Sequence, residues 1–243
     1  MPSSFLRHPQ LEFFLCACWV TTIIVGILEL VLKILDLARI VPFESRIIRI
    51  GFFFLVSWAD KNRVHKLRGK VDAILIGKNT AKLDDPLLSV HDTKKKNPIR
   101  IILDSNGTIR ARSRILRTSS RIPTIIVVTQ KAHKKNLRIL EKFPVEIIVC
   151  GKYSVNVKKL LGILGKQGIK KILVEGGGTT NWTFVKENLV DEIIITITPY
   201  LVGGVTATTL VDGDGFSVIT KSTKLKLKNT RRMKNEIILH YQN

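Results

Sequence analysis

Five short runs dense in Val, Ile and Leu constrain the fold of this chain more than any other feature: DAILIG (72–77), IRIILD (99–104), TIIVVT (124–129), VEIIVC (145–150) and KILVE (171–175). Apolar text this continuous suits strands covered on both faces, as in a parallel sheet lying between helices. Between the fourth and fifth runs, Val157, Leu160, Leu161 and Leu164 form one stripe at helical spacing, and Gly168 follows as a stop. Trp182, Val185 and Leu189 repeat that spacing after the fifth run. EIIITITPYLV, TKLKLKN and NEIILHY read as further strands, the last two alternating and antiparallel. The pattern specifies an α/β domain with a mixed, mostly parallel central sheet, flanking helices and a C-terminal antiparallel hairpin.

The text changes character near Ser57. From there, SWADKNRVHKLR reads as a short helix, with Ser57 and Asp60 as a capping box and Gly69 as its stop. Residues 1–56 are a separate, apolar head. Phe13 to Leu32 has the length of about 20 residues that crosses a bilayer, interrupted by Glu29. Two origins fit this head, a membrane helix at 13–32 or aberrant translation. RIIRIGFFFLVS (46–57) reads as a strand or a membrane-surface segment. Charge divides at nearly the same place: 5 Lys/Arg face 4 Asp/Glu in residues 1–57, against 35 facing 15 beyond, for a net +21. A body this basic attracts phosphorylated ligands, nucleic acid or an acidic membrane, or simply carries a solvated lysine-rich surface. No nucleic-acid motif accompanies the charge, so nucleic acid is not an expected partner. Cys16, Cys18 and Cys150 form no disulfide or metal pattern, the histidines are scattered, and a reducing cytoplasm is the expected compartment.

Three consecutive glycines, Gly176–Gly178, end the fifth strand and open the next helix. Free amides and the helix dipole gather at such a terminus, and residues without side chains let an anion reach the main chain. A dinucleotide diphosphate is the natural occupant, and a packed turn without a ligand is the competing explanation. The Rossmann pattern would be Gly176-x-Gly178-x-x-Asn181, without its third glycine and without an acid at the end of the next strand. Two other loops follow strands: IGKNTAKLDDPLLSVH (76–91), with Thr80, Asp84 and Asp85, and LDSNG (103–107). Three polar loops at the same ends of adjacent strands make a cleft.

RVHKLRGKVDAILIGKNTAKLDDPLLSVH (63–91), NPIRIILDSNG (97–107), KILVEGGGTTNW (171–182), VDEIIITITPYLVGG (190–204) and VDGDGF (211–216), in this order, resemble the pyrimidine reductases of riboflavin biosynthesis. The nearest likeness is to the archaeal branch, which acts on 2,5-diamino-6-(ribosylamino)-4(3H)-pyrimidinone 5′-phosphate. The likeness runs from Ser57 to the C-terminus. It implies a dihydrofolate-reductase-like fold, a homodimer, NADPH as cofactor, and reduction of the substrate's ribose to a ribityl chain. It further implies cofactor contacts at Thr80, Asp84, Asp104, Ser105, Asn106, Gly107, Val155, Glu175, Gly176, Gly177 and Gly178, and substrate contacts at Arg68, Leu88, His91 and Glu175. Neither a metal nor a covalent nucleophile is needed, and no catalytic residue is singled out. Arg68 suits a sugar phosphate, whereas His91 stands where the family often has arginine. The family opens with a central strand and a Ser/Thr-x-Asp-Gly turn, and residues 1–56 contain no such turn. The alternatives are therefore an impaired, reductase-like remnant lacking the first strand, or a basic nucleic-acid-binding protein.

Overall fold

The computed structural model describes residues 47–52, 58–90, 96–201, 203–204, 207 and 209–243. Its backbone is one nine-stranded sheet: β1 (Ile47–Phe52), β2 (Ala73–Gly77), β3 (Ile99–Leu103), β4 (Thr124–Val128), β5 (Glu146–Val149), β6 (Lys171–Val174), β7 (Glu192–Ile197), β8 (Lys226–Met233) and β9 (Glu236–Gln242). The spatial order is β5-β4-β3-β2-β6-β1-β7-β9-β8. Every pair from β5 to β7 is parallel, while β9 runs antiparallel to both β7 and β8. All five apolar runs are strands, and the fold class is the one the sequence specifies.

β1 corrects one expectation. Ile47–Phe52 lies in the middle of the sheet, with Ile50 opposite Val174 on one side and Ile193 on the other. A first strand is therefore present, and the remnant lacking it is not what this chain folds into. The sheet also begins ten residues before Ser57, where the sequence places the start of the domain. Residues 13–32 lie outside the described residues, and among the described residues no helix is long and apolar enough to cross a membrane.

Among the described residues, six α-helices and one 3-10 turn complete the layers: α1 (Trp58–Arg68), α2 (Lys78–Leu83), α3 (Arg114–Arg117), α4 (Lys134–Leu140), α5 (Val157–Lys166), α6 (Gly178–Lys186) and the 3-10 turn Ile219–Lys221. One core cluster unites Leu75, Ile101, Val127 and Val174 with Leu160 and Leu164 of α5 and Phe184 and Val185 of α6. The other unites Ile74, Ile76, Ile102 and Ile126 with Ile115 and Leu116 of α3 and Leu140 of α4. Alternate residues of each strand thus feed opposite faces. In α5, Asn156 caps the helix by accepting from the Lys159 amide at 2.9 Å, and Gly168 leaves it at φ +82°, as the sequence indicates.

Arg100 shapes the cleft wall from inside the sheet. It is fully buried on β3 and its guanidinium donates to the carbonyls of Leu87, Ile115 and Ile122 and to the hydroxyls of Thr118 and Thr124. Burial lowers its pKa to about 10. Satisfaction by neutral acceptors lets the charge remain inside, and it fixes the Leu87 backbone beside the functional loop.

Candidate active site

The glycine turn follows β6 and enters α6 across a cis Gly176–Gly177 peptide, with Gly176 at φ +93°. Its backbone is tied to β2, since the Gly176 carbonyl accepts from the Gly77 amide at 2.9 Å. The turn lines a cleft of about 450 Å³ together with Thr80 and Asp84 of the α2 region, Leu88, Glu175, Asp212, and Lys61, Val64, His65 and Arg68 of α1. A second cleft, about 700 Å³, is lined by Leu103, Ser105, residues 151–158 and one side of α6. Thr179 borders both clefts, so they meet at the N-terminus of α6.

Close approaches favour glycine here, tightly at Gly178 and mildly at Gly177. A Cβ on Gly177 would come within 3.3 Å of the Thr80 hydroxyl, and one on Gly178 would overlap the Asp212 carboxylate. Part of the space beside the turn is therefore filled by the protein's own Asp212, whose other oxygen accepts from the Thr209 hydroxyl. No side chain caps the helix. One turn on, Asn181 is fully buried; its Nδ2 donates to the Leu210 carbonyl at 2.8 Å while its Oδ1 has no partner. A bare turn and an uncapped helix start fit a phosphate-bearing dinucleotide, whereas the orphaned Asn181 acceptor calls for a donor, which a phosphate does not supply.

Arg68 and Glu175 form the polar centre of the cleft. Nε donates to Oε1 at 2.8 Å and Nη2 to Oε2 at 2.7 Å, a two-pronged pair, while Nη1 donates to the Ser89 carbonyl at 3.2 Å. Burial alone would depress the guanidinium pKa, but the charge and hydrogen bonds of Glu175 outweigh it and the pKa is raised. Arg68 is thus neither a surface helix charge nor an open phosphate ligand, and Glu175 does not cap α6. His65 Nδ1 donates to the same Ser89 carbonyl at 3.1 Å, which docks the loop bearing Leu88 onto α1.

The sequence-derived positions divide among three places. Thr80, Asp84, Glu175, Gly176, Gly177, Gly178, Arg68 and Leu88 line the first cleft; Ser105 and Val155 line the second. Asp104, Asn106 and Gly107 line neither. Asp104 is buried and accepts from the Ile109 amide at 2.7 Å and the Thr108 hydroxyl at 3.2 Å; the Asn106 carbonyl accepts from Asn136; Gly107 turns the chain at φ +65°. These three shape the loop that presents Ser105. His91 lies outside the described residues. Sequence reasoning passed over Lys61, His65 and Asp212. The first two share a helical stripe with Arg68 at i, i+4 and i+7, a signal that was readable; Asp212 arrives from a distant loop with no local signal.

The family described as the RibD C-terminal domain is matched over residues 53–239. A 2,5-diamino-6-ribosylamino-4(3H)-pyrimidinone 5′-phosphate reductase of Aquifex aeolicus (strain VF5) is 40% identical over 166 residues, 68% of this chain and 74% of the relative. The protein of the same description from Methanothermobacter thermautotrophicus is 36% identical over 185 residues, 75% and 84% of the two chains. A pyrimidine reductase-like protein of Corynebacterium diphtheriae shares the fold at a TM-score of 0.71 and 20% identity, over 82% of this chain and 92% of that one.

Proposed function

The chain belongs to the RibD C-terminal domain family, and from that premise we propose that it reduces the ribose of 2,5-diamino-6-(ribosylamino)-4(3H)-pyrimidinone 5′-phosphate to a ribityl chain, using NADPH, in riboflavin biosynthesis. The observation that carries this reading is the convergence of an uncapped, glycine-lined helix start and a buried Arg68–Glu175 pair in one cleft. NADPH, when bound, supplies the hydride.

The chain's own residues do the rest by placement and charge. The amides at Gly176–Gly178 and the Thr80 hydroxyl hold the diphosphate, with Asp84 beside them; Ser105 and Val155 receive the nucleoside end, on a loop shaped by Asp104, Asn106 and Gly107. Glu175 accepts from the substrate, at a sugar hydroxyl or the pyrimidine, and Arg68 fixes the direction of its lone pairs. Leu88 supplies an apolar wall, and His91 belongs to the substrate side. The sugar is reduced at C1 in its open-chain imine form.

We also propose a homodimer. Ile197, Tyr200, Leu201, Leu227 and Ile237 are exposed apolar residues of the β7–β9–β8 region, and a second copy would remove them from water. Light scattering that returned the mass of one chain would overturn this.

The test of function is substrate-dependent loss of reduced-nicotinamide absorbance, with the ribityl product identified by mass spectrometry. NADPH is expected to give a KM at least about tenfold below that of NADH, the margin one added charged contact supplies. Absence of turnover with either cofactor overturns the reading.

A further inference from the structure

The crossover from β2 to β3 carries cleft residues on irregular backbone. Residues 85–90 form neither helix nor strand, yet Pro86 and Leu88 line the first cleft beside Asp84. Leu88 is 2% exposed and holds φ +51°, a left-handed geometry uncommon for leucine. Such backbone persists only where its surroundings over-determine it. Main-chain groups outside a ladder need other partners, and side chains take part in that here. Asp85 Oδ1 accepts from the Arg114 amide at 2.8 Å, the Ser89 carbonyl accepts from His65 and Arg68, and the Val90 amide donates to Asn97 Oδ1 at 3.0 Å.

The Leu87 carbonyl, next to Leu88, is held by Arg100. Nε and Nη2 of that guanidinium both donate to Thr124 Oγ1, at 3.0 and 2.7 Å, which fixes its plane against β4. Nη1 is thereby directed at the Thr118 hydroxyl, 2.8 Å away at the end of α3, and at the Leu87 carbonyl, 3.3 Å away. The Ile122 carbonyl, another acceptor of Arg100, has a second donor in the Thr124 hydroxyl at 2.9 Å. Among the described residues, Arg100 is the only donor to the Leu87 carbonyl. Its acceptors there are carbonyls and hydroxyls, all neutral. The side chain therefore works as a rigid, planar fork joining β4, α3 and the crossover, and not as half of an ion pair.

Resting on the reductase reading above, we propose that Arg100 is a positioning residue for the substrate: by holding the Leu87 carbonyl it sets the backbone that presents Leu88 to the cleft. Arg100 lines neither cleft itself, so it acts through Leu88. Its effect is confined to the substrate side. Thr80 lies within α2, and the glycine turn is tied to β2 through the Gly77 amide, so the diphosphate end has its own supports.

The test uses the full chain as wild type, Arg100→Lys and Ile126→Ala. Arg100→Lys keeps the charge and loses the fork. Its KM for the pyrimidine substrate is expected to rise roughly tenfold, with kcat and the KM for NADPH within about twofold of wild type. Ile126→Ala removes core volume on the same sheet face and leaves the hydrogen bonds of Arg100 in place. It reports loss of packing alone, and its substrate KM should stay within about twofold of wild type. An unchanged substrate KM in Arg100→Lys overturns the proposal, as does an equal rise in Ile126→Ala or an equal rise in the KM for NADPH. Should Arg100→Lys fail to fold, Thr124→Val frees the plane of the guanidinium and carries the same test; an unchanged substrate KM there overturns the proposal too. Chymotrypsin gives a readout free of turnover. In wild type, cleavage after Leu87 or Leu88 should be at least about tenfold slower than after the exposed Tyr153, and the gap should narrow in Arg100→Lys or Thr124→Val. Equal rates in wild type, or a gap unchanged by substitution, overturn the anchor. A wild type that shows this protection, loses it on substitution and turns nothing over refutes the reductase reading while leaving Arg100 as the anchor of the crossover.

Discussion

Glu175 and Arg68 stand 107 positions apart in sequence and meet through two hydrogen bonds in the cleft. Both were legible as polar residues at useful places, one at a strand end and one on a helix. Their partnership was not, because only the crossover from α1 through the sheet brings them together. The pairing gives Glu175→Gln a definite expected outcome. The substitution keeps the shape but leaves the Arg68 charge, only 15% exposed, without its counter-charge. Breaking such a pair from one side costs on the order of 3 kcal/mol. Urea denaturation should show that loss, and a Glu175→Met/Arg68→Met double variant should recover much of it while remaining inactive. Equal stability of Glu175→Gln and wild type would contradict the buried pair. Cys150 supports a pH prediction at the same scale. Its buried thiol donates to the Asn156 carbonyl at 3.2 Å, and burial pushes its pKa up against the opposing effects of the Lys159 charge and of hydrogen bonding from the Asn156 backbone. A thiol whose folded pKa lies above its unfolded one stabilises fully below the unfolded value, and that stabilisation is lost as pH rises through the folded value. The stability difference between wild type and Cys150→Ala in urea should therefore shrink from pH 7 towards pH 10. A constant difference across that range would contradict it.

Among the elements, β1 is the most informative. RIIRIGFFFLVS was open to two readings from sequence, strand or membrane surface, because an apolar run without alternation carries no period that decides between them. Its backbone pairing decides it. Successive residues of a central parallel strand hydrogen-bond alternately to the neighbours on either side, so removing β1 leaves β6 and β7 facing a gap. A chain starting at Ser57 is therefore expected to give no cooperative thermal transition, whereas the full chain does. Ile50→Pro, which deletes one ladder amide, should destabilise by about 3 kcal/mol or more, and Thr230→Pro on the exposed edge strand β8 by much less. Cooperative melting of the 57–243 chain would refute a structural role for β1. β2, β3, β4 and β6 were readable because burial on both faces writes itself as nearly unbroken Val, Ile and Leu, and β8 and β9 because they alternate. α3 and α4 were not, since four and seven residues with several arginines and lysines give too short a stripe to register as a period.

At the scale of the whole molecule, the charge of the body acquires a direction. From Ser105 to Leu140 the chain carries nine Lys or Arg and no Asp or Glu, and all nine are exposed. The segment builds α3 and α4, which pack on the sheet face that also carries Ile74 and Ile76 of β2, the strand leading into the loop with Thr80 and Asp84. Fields of this kind act through water over a Debye length of about 10 Å at 0.1 M salt, and they raise the encounter rate of anionic ligands more than they raise the affinity of the final complex. With both proposed ligands phosphorylated, kcat/KM should fall several-fold to tenfold between about 20 mM and 500 mM sodium chloride, with kcat nearly unchanged. The dephosphorylated substrate is the internal control, and its own kcat/KM should respond much less. Charge reversal of Arg112 and Arg117, both exposed and outside the two clefts, should flatten the salt dependence without altering kcat. If the wild-type salt response were the same for both substrates, the basic surface would be acting on solubility alone, and capture of phosphorylated ligands would have to be ascribed entirely to contacts within the cleft.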